Sequence, residues 1–191
     1  MLGSFGQKRR NRPIIITDVA ISKVPMIQFH GFNEEENVFI QQQHMRLLKK
    51  AKDDNNSCEV GILVDIIKWD TWLIIGEANN IEMKTNPEAY KAMMTQGRNT
   101  MMFMHNHPST GTFSGTDFKT FCNNESLYIM TVVGNDGNVR VLTKLNEFNS
   151  SDALLYYYDL VKKYNKYENN GARAMKELLK NCNKIGLEYV R

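Results

Sequence analysis

Two histidines one residue apart, His105 and His107, are the side chains of this chain that point most directly to chemistry. They follow the segment Thr100–Met104, whose apolar composition and length are typical of a strand. Because side chains alternate between the faces of a strand, both imidazoles are predicted to point to the same side. Asp117 follows in the first turn of a predicted helix, since the aromatics of Phe118–Cys122 are three residues apart. Together the three side chains could bind one metal ion. Three protein ligands with an open position for water are the pattern of a catalytic zinc site.

A simpler, structural interpretation fits the same residues. Histidines beside a proline are common in loops, and here Pro108 follows His107 directly. Ser114 and Asp117 are three apart and resemble a capping box at a helix N-terminus. The short H-x-H string therefore does not by itself distinguish a metal site from loop histidines.

The longer string is more specific. The run His105-Asn106-His107-Pro108, followed by Ser114 and then by Asp117, resembles the core of the JAMM (JAB/MPN) metalloprotease motif. That motif also includes a glutamate on an earlier strand, and Glu59 lies near the start of the apolar segment 58–66. An exposed strand end is the alternative explanation for Glu59. Glu77 is a weaker competitor for the same role, because it lies at the far end of its own predicted strand.

The resemblance implies a zinc-dependent metallopeptidase or isopeptidase that acts on a protein or peptide substrate. It implies that His105, His107 and Asp117 bind one zinc ion per chain. Glu59 would take a proton from the zinc-activated water and pass it to the departing amine. Ser114 would donate a hydrogen bond to the oxyanion. The implied fold class is α/β, a mixed β-sheet flanked by helices, like the cytidine-deaminase-like architecture of the JAB/MPN family.

One spacing departs from the eukaryotic deubiquitinase pattern. The segment between His107 and Ser114 is one residue shorter than in that pattern. This chain resembles bacterial and phage-associated JAB-like proteins more than eukaryotic deubiquitinases. The resemblance covers roughly residues 37–145. The short segment between Asp117 and the next predicted strand leaves no room for the insertion with which eukaryotic deubiquitinases hold ubiquitin. We therefore do not expect a specialised ubiquitin-chain enzyme.

Two other functions stay open at this point. One is a catalytically inert MPN-like scaffold or phage-assembly component, although such a protein has no need of the five motif residues. The other is a DNA-associated role like that of RadC-type proteins, which carry a similar H-N-H-P string. No helix-hairpin-helix module is evident, and the formal net charge of +3 is too small to indicate nucleic acid.

Composition narrows the class of protein further. At 191 residues, with 42% hydrophobic and 24% charged residues, the chain fits one globular domain with a modest appendage. The basic cluster in residues 8–12 is interpreted as a solvated tail. We expect no membrane span and no signal peptide. Three widely spaced cysteines form no disulfide framework, which favours a reducing cytoplasm. The oligomeric state is not indicated.

The predicted organisation has three parts: 1–36, an N-terminal extension with short strands; 37–146, the JAB/MPN-like domain; and 147–191, a C-terminal helical tail. Segments 13–21 and 24–29 are the expected short strands. A helix capped by Asn33 should follow, with His44 at its surface or boundary. Another helix should begin at Asn86-Pro87, and His30 is expected to be a loop residue. Further strands are predicted over 71–78, 126–133 and 139–142, and two helices after 151.

Overall fold

The structure, a computed structural model, describes residues 14–78, 80–109 and 112–191. Within these residues, six strands form one sheet: β1 (Val60–Asp65), β2 (Thr71–Ile75), β3 (Met101–His107), β4 (Leu127–Gly134), β5 (Val139–Lys144) and β6 (Leu187–Val190). The described part of the chain also contains six α-helices: α1 (Asp18–Ser22), α2 (Glu34–Asp54), α3 (Pro87–Thr95), α4 (Gly115–Asn123), α5 (Ser150–Lys163) and α6 (Asn170–Lys180). The predicted α/β class, with a mixed sheet flanked by helices, is confirmed.

The order of the strands across the sheet is β2-β1-β3-β4-β5-β6. The central strands β3 and β4 are parallel and are connected through α4, while each of the other neighbouring pairs is antiparallel. A parallel pair needs a crossover connection, and a helix is the usual one. This crossover brings the N-terminus of α4 to the end of β3, where the two histidines lie.

Helices cover both faces of the sheet, and the alternation along β3 shows how the core is divided. Met101 and Phe103 belong to the cluster that also contains residues of α3, α4, α5 and α6. Met102 and Met104 belong to the cluster that contains residues of α2 on the opposite face. Since side chains alternate, His105 and His107 continue the face of Met101 and Phe103.

The caps predicted for two helices are confirmed. Asn33 caps α2 through a capping box with Glu36, and the bonds measure 2.9 Å and 2.7 Å. Asn86 caps α3 by accepting hydrogen bonds from the backbone N–H groups of Glu88 and Ala89, and Pro87 occupies the first helical position. Side-chain acceptors satisfy N–H groups that have no partner inside a helix, so these sequence signals act locally.

Three expectations need correction. The segment predicted as a strand over 13–21 overlaps the helix Asp18–Ser22, and 24–29 forms no strand; residue 13 lies outside the described part. His44 is buried, with 1% of its surface exposed, instead of lying at the surface or boundary of its helix. Besides the two predicted helices, residues 147–191 contain β6, which pairs with β5 and extends the sheet.

Among the described residues, no helix combines the length and the apolarity that crossing a membrane requires. The three cysteines, Cys58, Cys122 and Cys182, are free thiols. The basic cluster predicted to be a solvated tail lies outside the described residues.

Candidate metal centre

The two histidines lie at the carboxyl end of β3. His105 pairs with Gly61 of β1 on one side and with Val132 of β4 on the other, and its side chain is 2% exposed. His107 ends the strand opposite Gly134, and its side chain is 12% exposed. The strand thus extends to the second histidine, and both imidazoles are directed to the same side, as the period of two predicts.

Asp117 reaches the histidines because Ser114 caps α4. The backbone N–H of Asp117 donates to Ser114 Oγ at 3.1 Å, and the backbone N–H of Ser114 donates to Asp117 Oδ2 at 2.6 Å. The capping box expected from the structural interpretation is therefore present. It does not compete with a metal site, because the same bonds hold the Asp117 carboxylate in place beside both imidazoles.

The three side chains meet at separations that suit one metal ion. His105 Nε2 lies 3.1 Å from His107 Nε2 and 3.3 Å from Asp117 Oδ1, and His107 Nε2 lies 3.4 Å from Asp117 Oδ2. Nitrogen and oxygen ligands of a tetrahedral zinc ion, at about 2.0–2.2 Å from the metal, are about 3.3–3.5 Å apart. Each separation is close to one edge of such a tetrahedron, although the two histidines contact different oxygens of Asp117. With one donor atom taken from each residue, all three atoms lie within 4.8 Å of one another, so the group could hold a metal ion such as zinc.

The charges of the three groups also suit a cation. Burial would raise the pKa of the Asp117 carboxyl, but the two histidines outweigh it and hold that pKa below its ordinary value. Burial lowers the pKa of His105, which favours the neutral imidazole that binds metals. Burial opposes protonation of His107 as well, yet hydrogen bonding and charge from Asp117 raise its pKa. A metal ion would therefore compete with a proton at His107.

Glu59 lies just beyond the three candidate ligands. Its backbone N–H donates to the carbonyl of Glu77, and its own carbonyl accepts from Gly76, both at 3.0 Å, so the residue is paired with the chain that follows β2. Its Oε1 is 4.0 Å from His107 Nε2. Burial, together with the negative charge of Asp117, raises the pKa of the Glu59 carboxyl to about 7, although His107 opposes this. A carboxyl with this pKa can accept and release a proton near neutral pH.

Glu77, the competing carboxylate, has an exposed side chain and does not line the cleft around the three ligands. His30 is exposed at a turn, as expected. The residues brought together are thus the five singled out from the sequence: Glu59, His105, His107, Ser114 and Asp117.

Asn106, between the two histidines, is a residue whose importance the sequence did not reveal. Its Oδ1 accepts a hydrogen bond from the backbone N–H of Val60 at 2.7 Å, and its Nδ2 donates to the carbonyl of Cys58 at 3.2 Å. These bonds clamp the backbone on both sides of Glu59 to the end of β3. The available signal was the amide side chain of Asn106 itself. It stands at the middle position of H-x-H, which faces the opposite side of the strand from the histidines.

The three candidate metal ligands lie at one side of a cleft of about 680 Å³. Its polar side contains the five motif residues, and Ser109 and Thr116 also line it. Its other side is mostly apolar and is formed by α3, by the segment before α3, and by residues of β3 and β4. A substrate could reach the three candidate ligands through this cleft, which a purely structural zinc site does not require.

Comparison of the chain with protein-family models, with curated proteins and with solved structures gives no match in any of the three.

Proposed function

We propose that this chain is a zinc-dependent metallopeptidase or isopeptidase of the JAMM type, with the cytidine-deaminase-like architecture of that family. The observation that carries the proposal is the spacing of the two Nε2 atoms and the Asp117 carboxylate, which are 3.1–3.4 Å apart. The nearby Glu59 carboxyl supports it, because hydrolysis at such a centre needs a base that is not itself a ligand.

In this proposal His105, His107 and Asp117 hold one zinc ion per chain. Bound there, zinc supplies Lewis-acid chemistry, which makes water a better nucleophile and polarises the carbonyl under attack. Three protein ligands leave a position open, as catalytic sites require. Two of these side chains are held in place without the metal. His105 is buried, and the Asp117 carboxylate accepts a hydrogen bond from the backbone N–H of Ser114.

Glu59 is the proton carrier of the proposed reaction. Its carboxylate form takes a proton from water, and its carboxylic acid form returns that proton to the departing amine. Its distance of 4.0 Å from His107 Nε2 places it beside the ligands without making it one of them.

Ser114 is the proposed donor to the oxyanion. Its Oγ accepts the N–H of Asp117, which leaves the hydroxyl proton free to donate into the cleft that Ser114 lines. The substrate class is a protein or peptide, and the free cysteines support a location in the reducing cytoplasm.

Metal analysis of the purified wild type, His107→Ala and Glu59→Gln tests this proposal. We expect about one zinc per chain in the wild type and in Glu59→Gln, and loss of zinc in His107→Ala. Hydrolysis of peptide and isopeptide libraries should occur with the wild type and not with Glu59→Gln. If the wild type held no zinc even after zinc was supplied, the proposed enzymatic function would be refuted. Zinc without hydrolysis would favour an inert scaffold, and salt-dependent DNA binding would favour the RadC-type role.

A further inference from the structure

We infer that the apolar side of this cleft is a subsite for one large aliphatic or aromatic side chain of the substrate, next to the bond that is cleaved. The inference rests on the proposed function and adds a substrate class to it. The apolar residues that form this subsite are Ile81, Met83, Tyr90, Met93, Phe103 and Met130.

The subsite is continuous with the metal ligands. Phe103 and His105 are two residues apart on the same face of β3, and their rings stack with centroids 5.3 Å apart and planes at 14°. An occupant of the apolar side would therefore contact groups that adjoin the ligand His105. This continuity is why we assign the subsite to a residue of the substrate and not to a separate ligand.

A glycine provides the space for the apolar residues of this subsite. Gly61 of β1 lies beside Phe103 and Ile81, and a Cβ at that position would be 2.8 Å from Phe103 Cε2 and 3.3 Å from Ile81 Cδ1. The first distance is shorter than a van der Waals contact, so a side chain at position 61 would displace the ring. The absence of a side chain at position 61 lets Phe103 and Ile81 both contribute to the subsite.

The apolar residues of the subsite are only partly covered by the rest of the protein. Ile81, Met83 and Tyr90 are half-buried, whereas Phe103 and Met130 are buried beneath them. Met94, which also lines the cleft, is 57% exposed. An apolar side chain that binds here would remove this surface from water, and charged or small side chains would gain much less.

The methionines indicate selection by apolar character and size and not by one exact shape. Met83, Met93 and Met130 have unbranched, polarisable side chains that can adapt to different occupants. The two charged residues that line the cleft near them, Glu82 and Lys84, are exposed and of opposite sign. They give no net charge preference, so Leu, Met and Phe are the favoured substrate residues.

Hydroxamates with different tails test the subsite, because the common head group binds zinc and only the tail changes. The zinc-loaded wild type should bind 4-methylpentanohydroxamic acid at least about tenfold more tightly than acetohydroxamic acid. In Ile81→Ser this gain should fall to about twofold, with acetohydroxamic acid bound as in the wild type. Ile67→Ser is the matched control, since Ile67 is 68% exposed and lies outside the cleft.

The outcomes separate the subsite from the function. Loss of the gain in Ile81→Ser but not in Ile67→Ser supports the subsite. A wild type that binds zinc and acetohydroxamic acid but shows no gain from the longer tail overturns the subsite and leaves the proposed function standing. An undiminished gain in Ile81→Ser also overturns it. A wild type that holds no zinc overturns both, and metal analysis identifies that case.

Discussion

Asn106 donates a hydrogen bond from Nδ2 to Oδ1 of Asn135 at 2.8 Å, and both side chains are completely buried. Asn135 in turn donates from Nδ2 to the carbonyls of Ser57 and Ile14, at 2.9 Å and 2.8 Å. Asn106 also bonds the backbone of Cys58 and Val60. The two amides thus tie the segment that carries Glu59 to the end of β3. The position of the proposed base depends on this pair.

Replacement of Asn106 should therefore separate catalysis from metal binding. In Asn106→Ala we expect zinc content close to that of the wild type, because no ligand is changed, and hydrolysis slowed at least about tenfold, because Glu59 is less well positioned. Leaving buried polar groups without partners should also cost about 1–3 kcal/mol of the free energy of unfolding. Metal analysis, peptide hydrolysis and denaturant unfolding measure the three quantities.

The control for this variant is Asn138→Ala, the same change at an exposed position of the β4–β5 hairpin. It should leave zinc content and hydrolysis unchanged. If Asn106→Ala lost zinc in proportion to its activity, the amide pair would be supporting the ligands and not Glu59. Wild-type activity in Asn106→Ala would remove the positioning role altogether.

Ser114 combines a cap with a proposed catalytic hydroxyl, and two substitutions distinguish these roles. Ser114→Ala removes both, so it should lose about 1 kcal/mol of stability and slow hydrolysis about a hundredfold. Ser114→Gly removes the hydroxyl but is a better N-cap than alanine, so its stability should fall by only a few tenths of a kcal/mol. If the hydroxyl acts on the oxyanion, both variants are equally slow. Near-normal activity in Ser114→Gly would show that Ser114 only caps α4.

The Asp117 carboxylate should link metal binding to stability. A ligand that binds only the folded chain stabilises it, by about 2.7 kcal/mol at a free concentration of one hundred times its Kd. We therefore expect EDTA to lower the Tm of the zinc-loaded wild type and to leave the Tm of Asp117→Ala unchanged.

Asp152→Ala is the matched control for Asp117→Ala, because Asp152 is also the acidic residue in the first turn of a helix. It should bind zinc and respond to EDTA like the wild type. Equal responses of the wild type and Asp117→Ala to EDTA, measured by thermal unfolding with zinc content determined in parallel, would contradict the assignment of Asp117 as a ligand.

The sequence predicted the features that local chemistry determines. Asn33 and Asn86 identified the starts of α2 and α3, because a cap satisfies backbone N–H groups within the same few residues. The position of Asp117 followed from the same kind of signal at Ser114. The meeting of Glu59 with the histidines could be expected only through the motif, since it depends on sheet pairing across more than forty residues.

The wrong predictions have physical reasons too. The strand β6 has four residues and depends on its pairing with β5, which is a tertiary effect that no local signal announces. The strand predicted over 13–21 fails because Thr17 caps α1, its Oγ1 accepting the N–H of Ala20, and this local bond outweighs β propensity. His44 could have been placed in the core, because Ile40, Leu47 and Leu48 lie on the same side of α2.

The buried His44 should make the stability of the fold sensitive to acid. Its Nε2 lies 2.8 Å from Thr131 Oγ1, and burial lowers the pKa of the imidazole from 6.5 to about 3. The unfolded chain binds a proton as the pH falls through 6.5, whereas the folded chain resists protonation until about pH 3. His44 therefore contributes stability that is fully present above pH 6.5 and is lost between pH 6.5 and 3, up to about 5 kcal/mol.

His44→Gln, which keeps a polar group near Thr131 but does not titrate, should lose less stability over this range. Urea unfolding at several pH values measures the difference, with the exposed His30→Gln as control. Parallel curves for the wild type and His44→Gln between pH 6.5 and 4 would show that His44 is not the group responsible.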